Sequence, residues 1–283
     1  MEEKRPFVSI VVVSYNSALT ILDTLESIRR QTYSNIELIV TDDCSQDDTV
    51  ILVKQWIDKY KERFIRCICL EGLVNVGIAA NLNKAIEACN YEYYKTVAGD
   101  DMLNPRAIEI YMDYAMRYPK ALCISEVELL FGEECTDEFR NEISEQTENA
   151  YRRFRDNYKD NKKMYREMLR DNCLPSTGVG ILEKSLYFEN GAYDNKYPLL
   201  EDYPFYLKLV KKGVPIIYIP NPLYVYRIHQ DSVSHARQIN VEYEKIKIKF
   251  FLHYKIRELL KEQMYLELLI QMYSNLIGII KML

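Results

Sequence analysis

The segment Ala98-Gly99-Asp100-Asp101 ends an apolar run, Tyr93 to Val97, that reads as a buried strand. Two adjacent carboxylates at such a strand end are costly unless a cation neutralises them. Mg²⁺ or Mn²⁺ holding a phosphate ester is the obvious cation, because hard divalent ions take carboxylate oxygens together with substrate phosphates. The plainer reading is a strand-to-helix turn in which both acids are solvated. Asn104 would then be the N-cap and Pro105 the first helical residue.

Three further polar clusters carry chemistry-bearing side chains. In Val40-Thr41-Asp42-Asp43-Cys44-Ser45-Gln46-Asp47-Asp48-Thr49, Asp47 or Asp48 can cap the next helix. Asp43, at a strand end, can accept the imide N–H of a uracil, and Tyr15 at the neighbouring strand end can stack on the same ring. The pair Glu201-Asp202 opens a helix, where the dipole stabilises negative charge. Capping explains it, and so does a general base, which needs an ionised carboxylate within reach of a hydroxyl. In Tyr226-Arg227-Ile228-His229, His229 follows a strand and is a candidate metal ligand. Asn75-Val76-Gly77, followed by Asn81 and Asn83, allows a tight entry to a helix whose N-terminus favours anions.

These clusters need elements to hold them. Phe7–Val13 is almost continuously apolar and β-branched, the pattern of a parallel strand buried on both faces. Ser14-Tyr15-Asn16-Ser17 then turns into an amphipathic helix. Strands at Ile36–Val40, Phe64–Leu70 and Tyr93–Ala98 alternate with helices at Val50–Tyr60 and Gly77–Cys89. That alternation predicts an α/β fold with a mostly parallel sheet flanked by helices, and ligands beyond the carboxyl ends of the strands. The second half is less regular. Ala121–Leu130 and Val214–Ile219 read as strands and Tyr203–Lys212 as a helix stopped by Gly213. The charged stretch Glu133–Asn172 reads as loop and helix, and the chain after Ser234 as helical.

Composition bounds the function. The 283 residues are 48% hydrophobic with net charge −5 and no basic block, which argues against nucleic acid as a partner. Seven cysteines show no metal-type pairing or disulfide framework, which suggests a reducing, cytoplasmic setting. Cys67 and Cys69 alternate within a strand and pack as small hydrophobes. The N-terminus does not read as a signal peptide. No apolar run reaches the ~20 residues that span a bilayer. Met264–Leu283 is apolar with few charges, consistent with core packing, a homodimer contact or a peripheral anchor at the inner face of the membrane.

The order and spacing of the clusters are specific where each alone is not. From Pro6 to about Ser234 the chain resembles the inverting glycosyltransferases of family 2, which have the GT-A fold and include bacterial enzymes of polysaccharide and cell-surface glycan synthesis. The resemblance runs through Val8 to Asn16, the DDCSQDDT segment, Asn75-x-Gly77, the AGDD turn, Glu201-Asp202 and Tyr226-Arg227-x-His229. It implies a catalytic domain over residues 1–235, with a nucleotide-sugar half (1–110) and an acceptor half (111–235), and a C-terminal helical extension over 236–283. The donor would be a nucleotide sugar, a UDP-sugar for preference, and the acceptor a glycan or a lipid-linked glycan. Ser14, Tyr15, Asn16, Asp43, Asn75, Gly77, Asn83 and Gly99 would bind the donor. Asp100, Asp101 and His229 would hold Mn²⁺ or Mg²⁺. Asp202 would be the catalytic base, with Glu201 beside it. Asp100 lies five residues before Pro105, as the family's metal ligand does. The family's other metal-site acid falls at Ala98, and the Arg often found near Asn83 is Leu82. Those departures keep a degenerate nucleotide-sugar-binding module in view. A nucleotidyltransferase is the remaining alternative, but Ser14-Tyr15-Asn16-Ser17 lacks the Gly-rich basic loop it would use.

Overall fold

A computed structural model describes residues 5–174, 177–228 and 240–282. His229 lies outside the described residues. The order of elements is β1 (Val8–Ser14), α1 (Ile21–Arg29), β2 (Ile36–Asp42), α2 (Thr49–Tyr60), β3 (Arg66–Glu71), α3 (Ile78–Glu87), β4 (Tyr93–Ala98), β5 (Met102–Leu103), α4 (Ala107–Arg117) and β6 (Leu122–Phe131). These are followed by α5 (Asp137–Asn157), α6 (Asn161–Arg170), β7 (Gly180–Glu183), α7 (Lys184–Glu189), α8 (Asp202–Lys211), β8 (Ile216–Ile228), α9 (Val241–Phe250), α10 (Ile256–Lys261) and α11 (Tyr265–Met282).

The strands form one eight-stranded sheet in the order β3-β2-β1-β4-β7-β6-β8-β5. β3, β2, β1 and β4 are parallel, as the alternation of strands and helices predicts. In β1, Val8 to Val12 are buried, and every residue of β2 is. The rest of the sheet is mixed. β7 runs against both neighbours, β6 and β8 are parallel, and β5 pairs antiparallel with β8. β8 is 13 residues long and reaches well past Ile219, where its apolar pattern breaks at Pro220-Asn221-Pro222. A register shift against β6 between Ser125 and Val127 absorbs that break, and pairing resumes.

One local expectation changes, and another gains detail. Asn104 does not cap α4, which starts at Ala107. Its main-chain N–H bonds the Leu223 carbonyl at 3.1 Å and its side chain donates to the Pro222 carbonyl, so β8 claims it. The stretch Glu133–Asn172 is mostly two helices. α5 is capped by Thr136 and α6 by Asp160. Only Ile143, Tyr151 and Phe154 of the 21 residues of α5 are buried, too sparse a stripe to read as a helix from apolar periodicity. Asp47 does cap α2, accepting the Thr49 N–H at 3.0 Å. All seven cysteines are free, and burial pushes the thiols of Cys67 and Cys69 up to about 12 and about 11. They are packing groups, not nucleophiles.

Candidate functional site

A cleft of about 870 Å³ opens where β1, β2 and β4 end. Ser14, Tyr15, Asp43, Asn75, Gly77, Gly99, Asp100 and Asp101 line it from the parallel half of the sheet. Glu201 and Asp202, at the start of α8, line it as well. The strand register explains the grouping: Ser14 pairs with Asp42 and Val13 with Ala98, so the three turns leave the sheet side by side.

The turn after β2 is heavily cross-bonded. Asp42 is buried and accepts from the Ser14 hydroxyl (3.0 Å) and the Ser45 amide (2.7 Å). Asp43 is buried too, and its two oxygens accept the amides of Val76 (2.9 Å) and Gly77 (2.8 Å). Gly77 has φ +85°, and a Cβ there would lie 2.5 Å from Cβ of Pro198. Only glycine allows this approach, which brings the segment carrying Glu201 and Asp202 against the N-terminus of α3. Tyr15 stands at the lip, half exposed.

The turn after β4 is held from β8. Asp101 is buried, and its carboxylate accepts the Tyr224 hydroxyl (2.6 Å) and the Arg227 amide (2.8 Å). Burial chiefly, with the Asp100 charge second, pushes the Asp101 carboxyl well above the usual range. The Tyr224 and Arg227 donors and Lys95 pull the other way. The Arg227 guanidinium donates to the Asp100 main-chain carbonyl (2.8 Å) and to Asp23 (2.9 Å). Beneath the turn Lys95 is fully buried, over the rings of Tyr111 (5.0 Å) and Tyr224 (4.8 Å), with burial lowering it to about 7.

Two residues expected at the donor site are placed elsewhere. Asn16, at φ +49°, accepts the Gln46 amide (2.8 Å) and ties the loops after β1 and β2 together without lining the cleft. Asn83 binds the Tyr193 carbonyl (3.0 Å) and Asn195 (2.9 Å). It lies two residues along α3 from Asn81, hence about 200° round the helix. Asn81 is the one that lines the cleft, bonded to Thr41 at 2.5 Å. Conversely, Tyr224, Arg227 and the α5 residues Gln146, Asn149 and Arg153 line the cleft without having been singled out as site residues. Lys95, a cation inside an apolar strand, was the one sequence signal that an acid had to lie nearby.

Among the described residues no three His, Cys, Asp or Glu side chains converge on a metal cage. The donor set suits a different kind of ion. Mg²⁺ or Mn²⁺ bound with its phosphate substrate needs only one or two protein carboxylates and keeps water for the rest. Asp100 stands at the cleft wall, where its carboxylate could serve such an ion, whereas both oxygens of Asp101 already accept protein donors.

Comparison with known proteins agrees with this architecture. Residues 9–175 match the family model described as Glycosyl transferase family 2, and the chain belongs to that family. It is 28% identical over 259 residues to an uncharacterized glycosyltransferase of Haemophilus influenzae, covering 89% of this chain and 75% of that protein. It is 38% identical over 94 residues to the Escherichia coli UDP-Glc:alpha-D-GlcNAc-diphosphoundecaprenol beta-1,3-glucosyltransferase WfaP, covering 33% of this chain and 35% of WfaP. Several other curated relatives are likewise matched over less than half of their length. The fold is that of S. aureus TarS 1-349 in complex with UDP-GlcNAc (TM-score 0.61, 16% identity, 85% of this chain and 64% of that one). It is also that of the mannosyltransferase PcManGT from Pyrobaculum calidifontis in complex with GDP-Man and Mn2+ (TM-score 0.59, 17% identity, 87% and 65%). The architecture is thus the GT-A fold.

Proposed function

We propose that this family 2 glycosyltransferase moves a hexose from a UDP-sugar to a hydroxyl of a glycan or lipid-linked acceptor, with inversion, in cell-surface polysaccharide synthesis. One observation carries the reading. The strand-end acids Asp43 and Asp100 and the acidic pair Glu201-Asp202, far apart in sequence, line one cleft at the carboxyl edge of the sheet. The nucleotide-sugar complexes of TarS and PcManGT and the lipid-diphosphate acceptor in the name of WfaP support it.

Each residue then has a physical task. Tyr15 stacks on the base. Asp43 accepts the base's imide N–H, since a carboxylate has about four lone-pair sites and the loop amides take two. Asn75 and Gly77 bring the α3 N-terminus toward the donor. Asp100 holds Mn²⁺ or Mg²⁺, which supplies charge neutralisation for the leaving nucleoside diphosphate. Asp101, Tyr224 and Arg227 fix the turn that presents Asp100. Asp202 takes the proton from the acceptor hydroxyl as it attacks from the opposite face. A single base serves a single displacement, whereas retention through an enzyme nucleophile would need a second carboxylate positioned for attack. Residues 1–110 thereby serve the donor and 111–235 the acceptor.

A second reading, a nucleotide-sugar-binding module without turnover, is favoured by Ala98 and by the inward commitment of Asp101. Purified chain with Mn²⁺ and a panel of nucleotide sugars separates the two. Turnover is expected. UDP binding with no hydrolysis or transfer from any donor would establish the binding module instead. In the active protein, Asp202→Asn should lower transfer by roughly 10²–10⁴-fold and leave UDP affinity unchanged. Loss of UDP binding in that variant would remove Asp202 from the base role.

A further inference from the structure

α11 is docked by its polar edge. Gln271 Nε2 donates to the carbonyls of Leu169 (2.8 Å) and Arg170 (2.9 Å), and Glu267 pairs with Arg170 at 3.1 Å. The opposite face carries Tyr265, Leu269, Met272, Leu276 and Ile279, each between 40% and 62% exposed. Their spacing alternates four and three residues. That alternation keeps apolar side chains on one line of a helix and is the seam pattern of paired helices. Leu266, Tyr273 and Ile280 widen the stripe on one flank, each exposed by more than 60%. This is a core-facing helix pattern turned outward.

We propose that the occupant of this face is a second copy of the chain, with α11 packed on α11 about a twofold axis. The size fits. The eight exposed side chains together offer surface on the order of the ~800 Å² per partner that a stable interface buries. One uncharged stripe facing its own copy is self-complementary, as a twofold contact requires. The chemistry favours a helix over a lipid surface. A helix lying on a membrane is rich in Lys and Arg on its polar face. α11 has one cation, Lys281, and its polar edge presents Glu267, Gln271 and Asn275 to the protein body or its margin.

Sedimentation equilibrium of the full chain across the micromolar range tests the proposal. The expected mass is twice the 33.5 kDa of one chain. The double variant Leu269→Lys/Leu276→Lys places like charges across the seam and should weaken dimerisation by about a hundredfold. Because both positions are exposed on one chain, its circular dichroism should match the wild type, and its thermal midpoint should equal that of the wild type diluted until it dissociates. Ser274→Lys, outside the stripe, should stay dimeric. A wild-type mass of one chain throughout the range overturns the proposal, whether or not the charged variant folds. So does a folded double variant that remains dimeric. Vesicles of phosphatidylglycerol and phosphatidylethanolamine complete the test. A monomeric wild type that floats with them, and is released by the double variant, would assign the face to lipid.

Discussion

The turns after β2 and β4 each carry two adjacent aspartates, and the fold uses them differently. After β2, both carboxylates are engaged by nearby loops: Asp42 by Ser14 and Ser45, Asp43 by the amides of Val76 and Gly77. After β4, Asp101 is turned inward to Tyr224 and Arg227, while Asp100 lines the cleft. The difference lies in what closes over each turn. β2 lies between two parallel strands whose own loops supply donors. The β4 turn is crossed by β8, which holds the Asp101 carboxylate through Tyr224 and Arg227 and the Asp100 main-chain carbonyl through Arg227. Adjacent acids therefore need not share an environment, and the element that covers them decides how each is held.

Separating Asp100 from Asp101 gives the largest effects. Asp101→Ala leaves the Tyr224 hydroxyl and the Arg227 amide without their buried partner and should cost about 3 kcal/mol in urea unfolding. Asp100→Ala should cost less stability than Asp101→Ala yet lower transfer by about a hundredfold or more. Equal stability losses in the two variants would erase the distinction between the acids.

Glu258 extends the comparison to an acid with no functional neighbour. It is buried between α10 and the body, bonded to Tyr165 (2.8 Å), Lys261 (3.1 Å) and Lys211. These donors, Lys211 foremost, outweigh burial and hold its carboxyl down at about 2. A lowered folded value means that its stabilisation is complete above the ordinary carboxylate range, near pH 4.5, and fades as pH falls toward 2. Glu258→Gln should cost about 2 kcal/mol at pH 7, and the penalty should shrink across that acid window. A constant penalty would show that shape, not charge, matters there.

Gly77→Ala sharpens the β2 side. A Cβ 2.5 Å from Pro198, at φ +85°, should cost about 1–2 kcal/mol. It should also weaken UDP binding, because Asp43 and the 198–202 segment meet at this point. Unchanged UDP affinity would uncouple the two. Ala98→Asp gives the smallest change. A second acid at the β4 turn should lower the half-saturating Mn²⁺ concentration several-fold, about 1 kcal/mol. No change in Mn²⁺ dependence would count against a metal at this turn.

Much of this was legible in the chain. The β-branched runs of β1 and β2 announce a parallel, doubly covered sheet, and the polar residues that follow them mark its ligand edge. α5 was not legible, because only Ile143, Tyr151 and Phe154 anchor its 21 residues. Asn16 and Asn83 read as binding residues because they neighbour others that line the cleft. A left-handed turn and a half-turn of helix take their side chains elsewhere.

The sequence by itself determined the α/β alternation, the strand ends where acids gather and the apolar character of the last helix, because these follow from local pattern. Only the tertiary structure decided which aspartate of a pair is buried, which asparagine faces the cleft and which face of α11 points outward. Those outcomes depend on partners such as Tyr224, Arg227 and the Leu169 carbonyl, which the chain brings close only after long-range strand and helix pairing. Local pattern fixes what a residue can do, and the element packed against it fixes what it does.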